Sequence, residues 1–413
     1  MAPSIPPIKT VTKTPVTPLR APSAWPGLRP SPSGESPDKP DSVPQANVDT
    51  RPVVLLFCDD STLFFALRMR EILQAVANPP PIDLVWYIEE DALSYRQITQ
   101  LLPEGPSRTL GRMELQQLLR SPDILAILTS RVFRPIANAL KMPLLRYADN
   151  RPCVITFLGG LDFSPERGFQ HRADCDGVYL FPRSAIRDYE ESVQEWDSGW
   201  QEVGFGHPSF LMPCAPPADL AERRDIYFFT QAISPSSKRG RMHMLRVMVA
   251  IARQNPDRKV WIKLRHLPHE NRGHLHRERH DYPSLMESMH DLPANLEITA
   301  CTMDEALETA ALGITCTSTA AIDVLRAGIP TMVHLDFVDN YRDPLVAPMR
   351  QLFEESNIIT SLEDMLHLRA RTPDQAWIET MFCARDLGER VLATVDNFHN
   401  RPIRIQPHED NRP

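Results

Sequence analysis

Two stretches of this chain place anion-binding side chains where a strand is predicted to end. In VWIKLRH, Lys263, Arg265 and His266 follow the apolar beginning of a strand. In TCTSTAAIDVLRAGIPTMV, a strand leads into the hydroxyl-rich turn at residues 317–319, and a helix follows. Cations neutralise phosphate charge, while hydroxyls and backbone N–H groups at a helix N-terminus bind phosphate oxygens. Both stretches therefore predict a site for a phosphorylated ligand.

A third stretch has the same character. The buried-type strand IYFFT ends in a polar loop, and Ser234, Ser236, Lys238 and Arg239 precede an amphipathic helix. Because the carboxyl ends of parallel strands meet at one edge of a sheet, the three stretches are expected to share one crevice. Each turn alone would also suit an ordinary strand–helix–strand unit with a Ser or Thr cap, so the prediction depends on their convergence.

The elements that would position these residues alternate between strand and helix along most of the chain. Near-continuous apolar runs such as PVVLLFC and CVITFLGG are typical of strands buried on both faces of a parallel sheet. Helical patterns follow the strands at residues 63–76, 113–119, 135–140 and 184–196. This alternation predicts an α/β fold with two doubly wound, Rossmann-like domains.

Composition divides the chain further. Residues 1–50 hold twelve of the 40 prolines and few apolar residues, which predicts a disordered tail. A proline-rich polar segment at 212–224 predicts the domain boundary. The predicted units are an N-terminal domain at 51–215, a C-terminal domain at 225–370, a bracing helix at 371–400 and a loose tail at 401–413.

Charge and cysteine content exclude several classes of protein. The net charge of −8 argues against a nucleic-acid binder. No apolar run approaches the ~20 residues of a spanning helix, and the N-terminus lacks the apolar core of a signal peptide. The 7 cysteines are scattered without a CxxC pair, which favours free thiols over zinc ligation. We therefore expect a cytoplasmic protein without a transmembrane segment, for which peripheral membrane association stays open.

The C-terminal half, about residues 225–368, resembles the donor-binding domain of GT-B glycosyltransferases. It is most similar to bacterial capsule, sialyl- and glycerophosphate-transferases, which carry a basic–His–Pro element and a later Ser/Thr-rich turn. Here Leu267 separates His266 from Pro268, which departs from that element. Ser318 and Thr319 match the second element, and Asp323 stands where many such enzymes bind ribose hydroxyls with a carboxylate.

The resemblance implies two Rossmann-like domains facing each other across a cleft. It also implies a nucleotide-sugar donor (CMP-, UDP- or similar) and a saccharide acceptor of the cell surface, with no cofactor. Lys263 and Arg265 alternate along a predicted strand and could neutralise the phosphate leaving group without a metal. The predicted donor-binding residues are Ser234, Ser236, Lys238, Arg239, Lys263, Arg265, His266, Thr317, Ser318, Thr319 and Asp323.

Sugar transfer with inversion needs a base within hydrogen-bond reach of the acceptor hydroxyl. The polar segment after CVITFLGG offers Asp162 as first choice and His171 as second, with Asp60 a further candidate. Asp162 could instead cap a turn, and Asp60 could be the N-cap of the following helix. The predicted acceptor-binding residues are Gly159, Gly160, Arg167 and Asp59.

Two other functions share this architecture. A sugar-nucleotide epimerase would use the same nucleotide crevice without an acceptor. A non-catalytic binding protein would keep the crevice and lack the base. The sequence leaves both open beside the transferase.

Overall fold

The computed structural model describes residues 49–90, 93, 95–148, 150–158, 165–193, 201–270 and 277–401. Its strands are β1 Val53–Phe57, β2 Ile82–Tyr87, β3 Arg108–Leu110, β4 Ala126–Thr129, β5 Cys153–Phe157, β6 Gly177–Leu180, β7 Glu202–Phe205, β8 Asp225–Phe229, β9 Val260–Lys263, β10 Leu296–Thr299, β11 Ala310–Thr315 and β12 Thr331–Val333. Its helices are α1 Asp60–Gln74, α2 Tyr95–Leu101, α3 Arg112–Leu118, α4 Arg134–Leu140, α5 Pro143–Arg146, α6 Pro165–Arg172, α7 Ser184–Val193, α8 Lys238–Gln254, α9 Tyr282–Glu287, α10 Met303–Thr309, α11 Ala320–Arg326, α12 Val346–Phe353, α13 Leu362–Leu366, α14 Gln375–Met381 and α15 Leu387–His399.

The strands form two parallel sheets, each the centre of one lobe. The first lobe has seven strands in the order β3-β2-β1-β4-β5-β6-β7, and the second has five in the order β10-β9-β8-β11-β12. Within each sheet the chain winds outward in one direction and then reverses. The reversal lies between β1 and β4 in the first lobe and between β8 and β11 in the second. The predicted fold class, two doubly wound Rossmann-like domains, is confirmed.

Strand burial explains why the sequence folds in this way. All five residues of β1 are buried, as are all of β4 and β5, because helices cover both faces of the sheet. Three strands escaped prediction: β3 and β7 at the edges of the first sheet and β10 at one edge of the second, and each buries few of its residues. Edge strands carry a weak apolar pattern. The missed helices α2, α5, α9, α12 and α13 have at most 8 residues each.

Several predicted boundaries need correction. The helix expected from residue 63 begins at Asp60, one residue after the Asp59 cap. β9 ends at Lys263, so Arg265 follows the strand and does not belong to it. The single helix expected near the C-terminus is divided into α14 and α15. α11 ends at Arg326, and Gly328 just after it has the positive φ of 70° that favours glycine at this position.

The last helix packs on the first lobe although it follows the second lobe in sequence. In α15, Thr394 hydrogen-bonds the Tyr179 hydroxyl at 3.0 Å, and Arg390 donates to the Phe205 carbonyl at 2.6 Å. His399 contacts the Leu125 carbonyl at 2.9 Å. The chain thus crosses between the lobes twice. None of the described helices is long and apolar enough to span a membrane.

Candidate functional site

The two sheet reversals face the same cavity. It has a volume of about 450 Å³ and is lined by residues that follow β1 and β4 in the first lobe and β8, β9 and β11 in the second. Ligands of open α/β sheets bind where the strand order reverses, at the carboxyl ends of the strands. The volume lies within the range of small-molecule sites, about 300–1,000 Å³. This crevice is therefore the candidate site.

Lys263 is the cation with the fewest local partners in the crevice. Its side chain is half-buried at the end of β9, and among the described residues no carboxylate lies within ion-pair distance of its ammonium. Burial lowers the pKa of Lys263 below its ordinary value of 10.5. A half-buried ammonium without a counter-ion is a site where a bound anion gains favourable electrostatic energy.

The hydroxyl-rich turn lies in the same crevice. Ser318 and Thr319 line the cavity, and the Ser318 hydroxyl accepts a hydrogen bond from the Ala320 N–H at 3.2 Å. The Ser318 N–H donates to Thr315, whose own hydroxyl binds the Phe229 carbonyl at 2.9 Å. The turn is thereby tied to β8 and β11, which fixes its position relative to β9, the neighbour of β8 that carries Lys263.

The first lobe contributes two neighbouring carboxylates with different environments. Asp59 is the N-cap of α1 and accepts from the Thr62 N–H at 2.8 Å, and Arg131 approaches it at 3.3 Å. Asp60 occupies the first turn of α1 and forms two hydrogen bonds of 2.8 Å with Arg265 of the second lobe. The alternative reading of Asp60 as the helix cap is wrong, because Asp59 has that position.

Two further ion pairs join the lobes around the crevice. Arg68 on α1 binds Asp323 on α11 at 2.6 Å and donates to Ser209 at 2.6 Å. Arg96 on α2 forms a bidentate pair with Glu270, with both distances 2.7 Å. Together with the pair between Asp60 and Arg265, these contacts connect the walls of the cavity on several sides.

The crevice is electropositive although the chain is acidic. Among its described lining residues six cations face three carboxylates, whereas the whole chain carries a net charge of −8. Such an inversion of charge in a concave site favours an anionic ligand. The lining cations are Arg68, Arg96, Arg131, Arg172, Lys263 and Arg265, and the carboxylates are Asp59, Asp60 and Asp323.

The predicted loop after β8 does not join this group. The Ser234 hydroxyl is buried and donates to Asp343 at 2.9 Å, and the Ser236 N–H donates to the same carboxylate at 2.8 Å. Lys238 and Arg239 line a separate hollow beside the first turns of α8. The three strand ends do share one crevice, since Thr230 and Gln231, directly after β8, line it. The correction concerns the loop residues Ser234, Ser236, Lys238 and Arg239, which do not line it.

Of the residues predicted for the acceptor side, some lie outside the described residues and others lie away from the crevice. Asp162, Gly159 and Gly160 lie outside the described residues, and Arg167 is known only as a position within α6. His171 is exposed on α6 and is not among the residues that line the crevice.

On the donor side, His266 and Thr317 are buried next to residues that line the crevice. Among the described groups, the Thr317 hydroxyl has no hydrogen-bond partner.

Sequence reasoning missed His207, which lies between the lobes and lines the crevice. Its Nδ1 accepts from the Ser209 N–H at 3.1 Å, so the proton of the neutral ring is on Nε2. Burial, with the positive charges of Arg68, Arg172 and Arg326, lowers the pKa of His207 to about 3. His207 is thus neutral at physiological pH and unsuited to accept a proton.

Other missed residues carried a usable signal. Arg131 follows the strand ILAILTS, and the rule of strand ends used for the second lobe would have selected it. Arg172 lies in the polar segment around Asp162 and donates to the Ser130 carbonyl at 3.2 Å. Arg68 and Arg96 lie on helices and gave no signal, because their role depends on how the lobes dock.

Comparison with known proteins gives both a family and a fold. Residues 56–398, more than four-fifths of the chain, match the model of the family described as "Putative glycosyltransferase (DUF6716)". A search of curated proteins gives no match.

Solved structures with the same fold include UDP-GlcNAc 2-epimerase from Methanocaldococcus jannaschii, with 8% identity over 84% of this chain and 99% of that one and a TM-score of 0.53. UDP-GlcNAc 2-epimerase from Neisseria meningitidis bound to UDP-GlcNAc is 10% identical over 84% of this chain and 100% of that one, with a TM-score of 0.50. The S. aureus MnaA–UDP structure is 9% identical over 85% of this chain and 97% of that one, with a TM-score of 0.50. At these identities the likeness concerns the fold.

Proposed function

We propose that this chain, which belongs to the DUF6716 family of putative glycosyltransferases within the GT-B superfamily, is a sugar transferase. It transfers a sugar from a nucleotide donor to a saccharide acceptor. The donor is bound by the second lobe with its phosphates in the crevice. The acceptor enters from the first lobe and belongs to a cell-surface polysaccharide or glycoconjugate.

One observation supports the donor site above the others. Lys263 and Arg265 come from one stretch of the second lobe and Ser318 from another, and all three line the same cavity. A polyanion in that cavity would meet an ammonium, a guanidinium and a hydroxyl at once. An accidental arrangement of solvated surface residues would not bring three such groups from two strand ends into one hollow.

The chemistry requires charge stabilisation on the donor side. As the bond between the sugar carbon and the phosphate oxygen breaks, its electron pair passes to the phosphate, which gains negative charge. Lys263 and Arg265 would stabilise that charge, since positioned cations act strongly in a cavity that excludes water. We propose that these side chains take the place of a metal ion, so that transfer persists in a chelator.

The acceptor side requires a base for the hydroxyl proton as the new bond to the sugar carbon forms. Asp162 remains the first proposal, with His171 second and Asp60 third. Asp323 is proposed to bind the ribose hydroxyls of the donor. Its Oδ1 binds Arg68 at 2.6 Å, while Oδ2 makes no hydrogen bond with the described residues and could accept from a ligand.

The experiment is a screen of CMP-, UDP-, GDP- and CDP-activated sugars with excess chelator, followed by detection of nucleotide release and of sugar transfer. Release of nucleotide with one class of donor supports the transferase. Isomerisation of the donor sugar without an acceptor would instead identify an epimerase. Binding of a nucleotide with no turnover of any donor would identify a non-catalytic binding protein.

The pH dependence of nucleotide binding gives a prediction that depends on Lys263. Because burial lowers the pKa of Lys263 below 10.5, part of the ammonium population loses its proton at moderately alkaline pH. Phosphate binds the charged form, so UDP affinity should be full below that lowered pKa and fall as the pH rises through it. UDP titrations from about pH 7.5, where the phosphates are ionised, measure this.

The matched variant is Lys263→Arg. Its guanidinium stays charged beyond about pH 12, so the alkaline loss of affinity should disappear. An equal loss of affinity in both proteins would contradict a role for Lys263 in phosphate binding.

A further inference from the structure

The contact between Arg265 and Asp60 joins residues 205 positions apart in sequence, one from each lobe. The Nε of Arg265 donates to Oδ2 of Asp60 and its Nη2 donates to Oδ1, both at 2.8 Å. Both residues line the crevice, and their side chains are 25% and 11% exposed. The carboxylate thus occupies one complete hydrogen-bonding edge of the guanidinium.

A phosphate group bound through Nε and Nη2 would use that same edge. Guanidinium binds carboxylate and phosphate alike through two parallel N–H···O bonds. Arg265 follows Lys263 by two residues, and both residues line the cavity. An anion that binds Arg265 through Nε and Nη2 must therefore displace Asp60, and an anion on the Nη1–Nη2 edge would share the guanidinium charge with Asp60.

We propose that Asp60 is a specificity-determining residue of the donor site, because its carboxylate competes with the donor phosphate for Arg265. The inference rests on the proposed function, since it takes the ligand of the crevice to be a nucleotide phosphate. Competition of this kind weakens the binding of ligands that engage Arg265. It leaves the binding of the nucleoside portion unchanged.

Displacement leaves Asp60 in a favourable environment. Its Oδ1 accepts a hydrogen bond of 2.9 Å from the Ser61 N–H, which does not depend on Arg265. Asp60 also lies in the first turn of the 15-residue helix α1, where the helix dipole stabilises a carboxylate. The exchange of partners thus transfers Arg265 to the ligand without stranding a negative charge in the protein interior.

The test is the affinity of UDP, inorganic pyrophosphate and uridine for the full chain and for Asp60→Asn, by calorimetry at fixed salt and pH. Loss of a charged competitor with two hydrogen bonds should tighten UDP and pyrophosphate by about tenfold. Uridine has no phosphate, so its affinity should stay the same. Unfolding curves of each variant verify that it is folded.

Two further variants separate competition from a general change in charge. Glu305 is exposed beside the crevice and caps α10 through Thr302, and glutamine preserves that cap. Glu305→Gln removes the same charge without touching Arg265 and should change UDP affinity by less than about twofold. In an Arg265→Gln background, Asp60→Asn should no longer tighten UDP, because the contested guanidinium is gone.

The outcomes distinguish this inference from the proposed function. Binding of UDP to the unaltered chain with equal or weaker binding to Asp60→Asn overturns the competition alone. Equal tightening by Glu305→Gln also overturns it, since charge alone would then explain the effect. If neither UDP nor pyrophosphate binds either protein, the competition and the phosphate-binding crevice are both wrong.

Discussion

Replacing Lys263 by alanine is expected to lower UDP affinity by about 100-fold. The ammonium is half-buried at the end of β9 without an ion-pair partner among the described residues, and burial lowers its pKa. A charge-assisted hydrogen bond contributes about 1.5–3 kcal/mol, and tenfold in affinity corresponds to about 1.4 kcal/mol. Calorimetric titration of UDP at constant pH and salt measures the loss.

The stability of the ligand-free protein should change in the opposite direction. Removing a half-buried charge that lacks a counter-ion relieves a desolvation cost, so Lys263→Ala should unfold at an equal or higher temperature. Lys259 is the matched control, because it lies just before the same strand, is exposed, and pairs with Glu297 at 3.0 Å. Lys259→Ala should leave UDP affinity unchanged. Equal losses in both variants would show that the donor site is misplaced.

The fold was predictable where burial imposes a pattern on the sequence. The runs that became β1, β4 and β5 are buried along their whole length, so all positions except Thr129 and Thr156 are apolar and the strand is evident. The edge strand β3 has the burial of a surface segment, and its three residues look like a loop. Local sequence carries little information about an edge strand, because its pairing with β2 does most to hold it.

The candidate site was predictable only as far as strand ends determine it. Lys263 ends β9 and Ser318 follows β11, with only β8 between these strands, so the geometry of the parallel sheet brings both residues to one crevice. Ser234 failed the same reasoning because Asp343, 109 positions later, binds its hydroxyl. The pairing of Asp60 with Arg265 depends on the docking of two lobes, which no local periodicity encodes.

A second large effect concerns stability, at the amino ends of the strands of the first sheet, opposite the crevice. Arg151 and Asp176 precede β5 and β6, and their side chains are 2% and 5% exposed. The guanidinium forms bonds of 2.6 and 2.8 Å to the carboxylate and donates to the Leu145 carbonyl at 2.8 Å. Asp176 also accepts from the Val154 N–H at 2.8 Å. The pair thus joins two central strands where water cannot replace either partner.

Asp176→Ala should therefore lower the free energy of unfolding by about 3–5 kcal/mol, because it leaves a buried guanidinium without its counter-ion. Denaturant unfolding measures the loss. The double replacement Arg151→Met with Asp176→Leu should recover much of it, since apolar side chains need no counter-ion. Asp364→Ala is the matched control, because this carboxylate binds Arg369 and Arg371 at the protein surface. Solvent can replace both contacts, so this variant should lose little stability. A loss for Asp176→Ala as small as that of the control would mean that water reaches Arg151. The UDP affinity of the folded Asp176→Ala variant should be unchanged, because the pair lies away from the crevice.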